Sequence, residues 1–290
     1  EVNLLTDNMG QFIDSKHPYV TCSNEFIESE WWLIKEIDKK GLIYYGNKVL
    51  PYCPRCGTEL SANEVGQGYQ EDSVNTVIVP FKIKDSDTYF LVWTTTPWTL
   101  MANVALCVNP DLEYIKVSSM GYKFIVAKSL ANKVLGDDFE VLETYKGTDL
   151  VGTNYEQLMP FAEVEGKCFE VVADSYVTSE DGTGIVHIAP AYGDDDNRVC
   201  KENGIGFVNP VGKDGCYTTG PWKGTLVTDK DLEIEIIKWL KENDKLFKKI
   251  KLTHDYPHCW RCHSPLIYYS KPAWYIRTTE YKDKILEANK

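Results

Sequence analysis

Apolar positions along the chain follow two different rhythms. Residues 24–40 (NEFIESEWWLIKEIDKK) carry Ile27, Trp31 and Ile34 at i, i+4 and i+7, the spacing of one helical face. Asn24 can cap the start of that helix, and Lys39, Lys40 and Gly41 suit its end. Residues 229–243 (DKDLEIEIIKWLKEN) repeat the rhythm with Leu232, Ile236, Ile237 and Leu240 on one side. Between these two segments the pattern changes to short β-branched or aromatic runs: NTVIVPFKI, TYFLVWT, NVALCV, EYIKV, YKFIVA, FEVVAD and GIVHIA. Gly, Asp and Pro separate the runs, as turns separate strands. The expected fold class is α+β and β-rich: a closed β-barrel-like domain with peripheral helices.

Composition narrows the class. The 290 residues are 43% hydrophobic and 12% aromatic, enough for a sizeable core. No apolar run approaches the ~20 residues of a membrane span, so no membrane partner is expected. The opening EVNLLTDNMG is acidic and has no apolar centre, which reads as a fragment without a visible signal peptide. A net charge of −12 argues against an autonomous nucleic-acid binder, although not against a module held to nucleic acid by another domain. Nine cysteines, four of them in two CxxC pairs, suit a reducing cytoplasm and metal ligation better than a disulfide framework.

The pairs are PYCPRCG, with Cys53 and Cys56, and HCWRCHS, with Cys259 and Cys262. Each is a tight turn able to aim two thiolates at one cation, and Zn²⁺ favours four such ligands in a structural site. Gly57 relaxes the backbone after the first pair. A shared zinc would clamp together two points of the chain some 200 residues apart, offsetting a large loop-closure entropy. The second pair also spells CxxCH, a haem-attachment signature, but haem would leave Cys53 and Cys56 unexplained. His254 and His258 are four apart, yet Pro257 between them opposes the helix that a zincin-type pair needs. The other five cysteines, including Cys107 and Cys200, read as ordinary buried residues.

Two further stretches carry candidate chemistry. In VWTTTPWTL, a strand of large apolar residues runs into three hydroxyls before Pro97. This is either a strand end that turns at the proline or a polar rim aimed at a ligand or a water. In DGTGIVHIAPAYGDDD, Gly182 and Gly184 lead tightly into a strand on which His187 shares a face with Ile185 and Ala189. A lone histidine there is ordinarily a hydrogen-bonded core residue. Three aspartates, 194 to 196, then precede a short helix whose dipole they suit, and stacking them has a repulsive cost unless one is aimed at a cation or ammonium group.

Residues 93–103 (WTTTPWTLMAN) and 182–196 (GTGIVHIAPAYGDDD) resemble the two signature peptides of the editing domain inserted into isoleucyl-tRNA synthetases. CPRCGTELSANEVGQGYQ and YPHCWRCHSPLIYYSKPAWYIR resemble the same family on either side, so the likeness covers nearly the whole chain. In the valine and leucine enzymes an Arg usually follows two threonines; Thr96 stands there instead, which favours the isoleucine family. Met101 departs from the family's usual Pro. No HIGH- or KMSKS-type peptide occurs, so the amino-acid-activating site is expected elsewhere.

The resemblance implies hydrolysis of valine misattached to isoleucine tRNA, with the tRNA 3′ end and the rest of a parent synthetase as partners. It implies that Asp196 pairs with the substrate ammonium and that His187 lines the side-chain pocket. Thr94, Thr95 and Thr96 would hydrogen-bond ester, ribose or water, with Asn103 as a substrate or supporting contact and Trp98 as a wall. The implied organisation is a helical junction over 1–47 and a zinc stalk over 48–70 plus 250–276. An editing barrel over 71–249 and a second junction over 277–290 complete it. Two rival readings stand beside it: a zinc-ribbon and β-barrel module that contacts tRNA without chemistry, and the editing domain of a valine or leucine enzyme.

Overall fold

The computed structural model describes residues 5, 8–10, 14 and 17–290. They fall into two compact units, Glu1–Gly46 with Pro272–Lys290, and Asn47–Lys271. No helix among the described residues is long and apolar enough to cross a membrane.

In the first unit the helix Asn24–Lys39 forms where its periodicity predicts, but its cap is Ser23, whose hydroxyl accepts from Phe26 N–H, and not Asn24. None of its residues is buried: Trp31 and Trp32 are 65% and 60% exposed. Phe26, Ile34 and Ile37 on this helix are no more than half-buried.

The second unit is built on strands. A three-stranded sheet, order β12-β1-β2, comprises Ile267–Ile276, Ile43–Cys53 and Thr58–Glu59, of which residues 43–46 and 272–276 belong to the first unit. The larger sheet holds β3 (Tyr69–Lys82), β4 (Thr88–Thr94), β5 (Ala105–Val108), β6 (Glu113–Ser119) and β7 (Tyr122–Ala127). It is completed by β8 (Glu140–Lys146), β9 (Glu170–Ala173), β10 (Ile185–Ile188) and β11 (Lys248–Pro257). All seven runs singled out by pattern are strands. β1, β8, β11 and β12 were not among them: β8 is almost wholly exposed and β11 largely so, and neither shows a clean alternation.

The sheet is open, not the closed barrel expected. Its main path runs β8-β6-β7-β4-β10-β5-β9 without returning to β8, while β3 and β11 branch from β4. The branch arises because β4 has three partners. β3 lies along one edge from Lys82↔Tyr89 to Val77↔Thr94. The other edge is divided: Thr88, Tyr89 and Phe90 pair in parallel with β7, whereas Trp93 pairs in parallel with Val186 of β10. Pro80 sits in β3 just beyond the reach of β11, whose pairing stops at Ile78, so that edge has no ladder bond to lose.

The core fills the curl of this sheet. Phe81, Phe90, Leu91, Tyr114, Tyr155 and Leu106 are fully buried, each contributing about 1.5–3 kcal/mol relative to exposure. The helix Lys230–Glu242, capped by Asp229, buries the four residues its periodicity selected.

Candidate functional site

The threonine peptide begins where β4 ends. Thr94 is the last strand residue, and a 3₁₀ helix starts at Pro97 and runs to Ala102. The Thr94 hydroxyl accepts from Thr96 N–H (3.1 Å), a local turn that lifts the chain off the sheet. Pro97 fixes φ for the helical start, where its missing N–H has no partner to lose. The stretch is therefore a strand end that turns at Pro97, and the hydroxyls of Thr94, Thr96 and Thr99 are linked to one another.

That linkage leads to His187. Thr94 Oγ1 lies 3.3 Å from Thr96 Oγ1, which lies 3.3 Å from Thr99 Oγ1. Thr99 Oγ1 is 2.9 Å from His187 Nε2. Donation to the Thr96 carbonyl at 2.8 Å uses the single Thr99 hydroxyl proton, which favours the imidazole as donor and the Nε2–H tautomer. The buried Nδ1 of His187 meets no partner among the described residues. Burial lowers the ring's pKa to about 4, so it is neutral at physiological pH. The residue that orients the histidine, Thr99, was not selected from sequence; its place three residues past Thr96 on a helical turn was the available signal.

β10 carries His187 to this point through a constrained lead-in. Gly182 and Gly184 have φ of +73° and +72°, and a Cβ on Gly182 would lie 1.8 Å from Trp93 Nε1. The loop crosses the Trp93 indole so closely that only glycine fits. Beyond the strand, Asp194, Asp195 and Asp196 do not precede the helix as expected but form the first turn of Asp194–Asn203. Asp194 and Asp195 are exposed. Asp196 turns back onto the end of β10: its Oδ2 accepts from Ala189 N–H at 2.9 Å, and Tyr176 OH approaches Oδ1 at 3.5 Å. Burial is the largest influence on this carboxyl and raises its pKa to about 6, partly opposed by those two donors. Gly193 makes the seat, since a Cβ there would stand 2.6 Å from the Asp196 carboxyl carbon.

Thr94, Thr96 and His187 are thus joined through Thr99 in one hydrogen-bonded chain, and Asp196, from the following helix, holds Ala189 N–H two residues past His187. Among the described residues Asp196 makes no hydrogen bond to the threonines. Thr95, Thr96, Pro97 and Trp98 also line a crevice facing Asp72, Ser73, Lys230 and Tyr256, and neither His187 nor Asp196 lines it. Trp98 packs edge-on against Tyr192, 4.7 Å between ring centroids. The Asn103 amide is taken up by the core: it donates to Ala105 O (2.9 Å) and accepts from the buried Tyr155 hydroxyl (2.7 Å). Met101 is buried against Gly220 and reaches no site group.

The four paired cysteines meet. All four Sγ atoms lie within 4.8 Å of one another, with Cys53 and Cys262 at 3.5 Å and Cys56 and Cys259 at 4.0 Å. A tetrahedron with bonds of ~2.3 Å has S–S edges of ~3.8 Å, so the donor set is compatible with a zinc site. The two turns have the same form. Gly57 N–H donates to Cys53 O (2.9 Å) at φ +67°, and His263 N–H donates to Cys259 O (2.7 Å) at φ +60°. His263 therefore occupies the glycine's place in the second turn, outside the thiol cluster, which accounts for the misleading CxxCH. His258 Nδ1 lies 3.0 Å from Tyr256 O, also outside the cluster. Of the other cysteines only Cys107 and Cys200 are buried; Cys22 is exposed, and Cys168 and Cys216 are half-buried, contrary to expectation. Burial pushes the thiols of Cys107 and Cys200 up to about 12, which makes them poor nucleophiles.

Comparison with known proteins places this geometry. The pattern described as "tRNA synthetases class I (I, L, M and V)" matches residues 2–290. The chain belongs to the class I tRNA synthetases. It is 46% identical to an isoleucine–tRNA ligase of Clostridium tetani over 98% of its length, and 48% identical to that of Clostridium novyi over the same share. An isoleucine–tRNA ligase 2 of Bacillus anthracis is 47% identical over 98%. The chain spans 28% of the length of each of these synthetases. The editing domain of the P. knowlesi cytosolic leucyl-tRNA synthetase shares the fold, with TM-score 0.50 and 13% identity over 62% of this chain and 98% of that one. Its P. falciparum counterpart matches at TM-score 0.50 and 10% identity, covering 61% and 99%. This synthetase chain therefore carries an editing-domain-like fold.

Proposed function

We propose that the chain is the editing module of an isoleucine–tRNA ligase and hydrolyses the ester of valine misattached to isoleucine tRNA. The observation that carries the reading is the hydroxyl–imidazole chain from Thr94 through Thr96 and Thr99 to His187, with Asp196 seated on the end of the same strand. The need for such a site is energetic. One methylene gives a hydrophobic pocket only about 1–3 kcal/mol of discrimination, and the isoleucine enzymes are the standard illustration of that limit. A second, smaller pocket rejects isoleucine on size.

The assigned roles follow each group's chemistry. Asp196, ionised above about pH 6, pairs with the α-ammonium of the misattached residue and so orients the ester. His187, neutral and locked by Thr99, is a rigid wall of the side-chain pocket. Thr94, Thr95 and Thr96 hold the ester, ribose or attacking water. Asn103 supports the peptide from the core, and Trp98 is a wall. With the nearby thiols protonated and no serine–histidine pair, the reaction is direct attack by a positioned water, without an acyl-enzyme. Zn²⁺ bound by Cys53, Cys56, Cys259 and Cys262 has a closed shell and staples the fold without joining the chemistry. The partners are the tRNA 3′ end and the parent synthetase, in the cytoplasm.

Valine release from its ester on isoleucine tRNA tests the reading, with isoleucyl, threonyl and leucyl esters alongside. Cleavage of the valyl ester with the isoleucyl ester spared is expected. No release above the uncatalysed rate would sink it and leave a tRNA-contacting module. Preference for a threonyl ester would reassign the module to the valine enzymes, and cleavage of the isoleucyl ester with the leucyl ester spared would reassign it to the leucine enzymes.

A further inference from the structure

We infer that Tyr176, held in place by the Asp174–Arg198 ion pair, is a positioning residue that aims the Asp196 carboxylate at the substrate ammonium. The inference rests on the role proposed for Asp196. Tyr176 stands in the loop that follows β9, and the loop is pinned to the helix carrying Asp196 at two points. Arg198 grips Asp174 through both guanidinium nitrogens, at 2.8 and 3.1 Å. Asp174 Oδ1 also accepts from Tyr176 N–H at 3.0 Å, so the ion pair fixes the backbone of the tyrosine itself. From there the phenol packs among Val104, Cys107 and Val172 of the smaller core cluster and reaches Asp196 Oδ1.

The result is a carboxylate held from two elements. Ala189 N–H occupies one lone pair of Oδ2 and the phenol faces one of Oδ1, which leaves one on each oxygen for a bidentate contact with an ammonium group. The other groups around Asp196 do not supply a countercharge. Asp195 on its own helix and Asp174 on the loop are anionic, and the thiols of Cys107 from β5 and Cys200 one turn on are protonated. Arg198 is shared among Asp174, Asp195 and Glu202. Asp196 thus relies on uncharged donors, the backbone N–H groups of Ala189 and of Asp196 itself and the Tyr176 phenol, and the phenol is the only one of them that a substitution can remove.

The test is the pH dependence of valyl-ester hydrolysis by the full-length protein carrying Tyr176→Phe, beside Asp196→Asn. Losing the phenol donor should move the acid limb of the profile up by about half a unit to one unit. At pH 6 KM should rise about threefold to tenfold, with kcat on the alkaline plateau within about twofold of the unsubstituted protein. Arg198→Gln should move the limb in the same direction by less. A tyrosine that merely fills space would lower activity evenly across pH. A Tyr176→Phe profile that superimposes on the parent while Asp196→Asn is inactive overturns this inference and leaves the proposed function standing. Full activity in Asp196→Asn overturns both.

Discussion

The two chemically distinctive regions, the thiol cluster and the hydroxyl–imidazole–carboxylate site, are assembled by opposite means. In the cluster each half is local: covalent spacing within CxxC and one backbone hydrogen bond set two thiols, and the turn then occurs twice, around Gly57 and around His263. In the other region local spacing joins only the threonines; the imidazole and the carboxylate come from elsewhere in the chain. Thr96 and His187 meet because β4 and β10 run side by side, and Thr99 joins them. Local repetition tolerates an unsuitable residue such as His263 at positive φ. A site assembled across strands depends instead on each intermediary.

That contrast can be broken by substitution, beginning with the largest effect. Cys53→Ser should release bound metal and destabilise the region around Leu60, Val65 and Leu266 by several kcal/mol, since metal affinity is folding energy there. Metal content and proteolytic nicking near residues 53–66 and 257–266 report it, and an unchanged metal content removes the four-thiolate proposal. Asp196→Ala should cut valyl-ester hydrolysis about a hundredfold, the scale of a lost charge-assisted contact, with the fold intact by circular dichroism. Thr99→Val leaves the His187 Nε2–H unsatisfied. Isoleucyl esters should then be cleaved about tenfold faster relative to valyl esters, and an unaltered ratio would show that the hydroxyl does not orient the ring.

Smaller effects sharpen the comparison. A folded Asp196 titrates near 6 and an unfolded one near 4, so the folded state keeps its proton to higher pH. Stability attributable to this residue is therefore full below about pH 4 and lost as pH rises through 6. Asp196→Asn should gain on the order of 1–2 kcal/mol in urea denaturation at pH 7 and nothing at pH 4. Smallest of all, His263→Gly should change stability by less than about 1 kcal/mol and leave metal binding untouched, as suits a residue that only turns the chain.

Periodicity and spacing carried much of this before any coordinates. Seven strands, two helices and the four-thiol set were legible because each is written in neighbouring residues. The forked sheet was not, since nothing in TYFLVWT says that β4 serves three partners. Thr99 and Tyr176 were passed over because each looks like filler in its own segment and gains meaning only from a residue far along the chain. Asn103 shows the converse: a polar residue inside a signature peptide, it is satisfied by the core and faces no crevice.

The long ladder between β3 and β11, ten residue pairs from Tyr69↔Pro257 to Ile78↔Lys248, closes just above the sulfur cluster. Outgoing and returning chain are zipped together there, forming a neck. Everything from Val79 to Phe247 is then, topologically, one loop. The loop is nevertheless sewn back to its root, since the Tyr52 and Tyr269 hydroxyls donate to Lys213 O and Val211 O and Ser270 N–H donates to Ala191 O. A change of length beyond the neck is then tolerated only where it spares those ties.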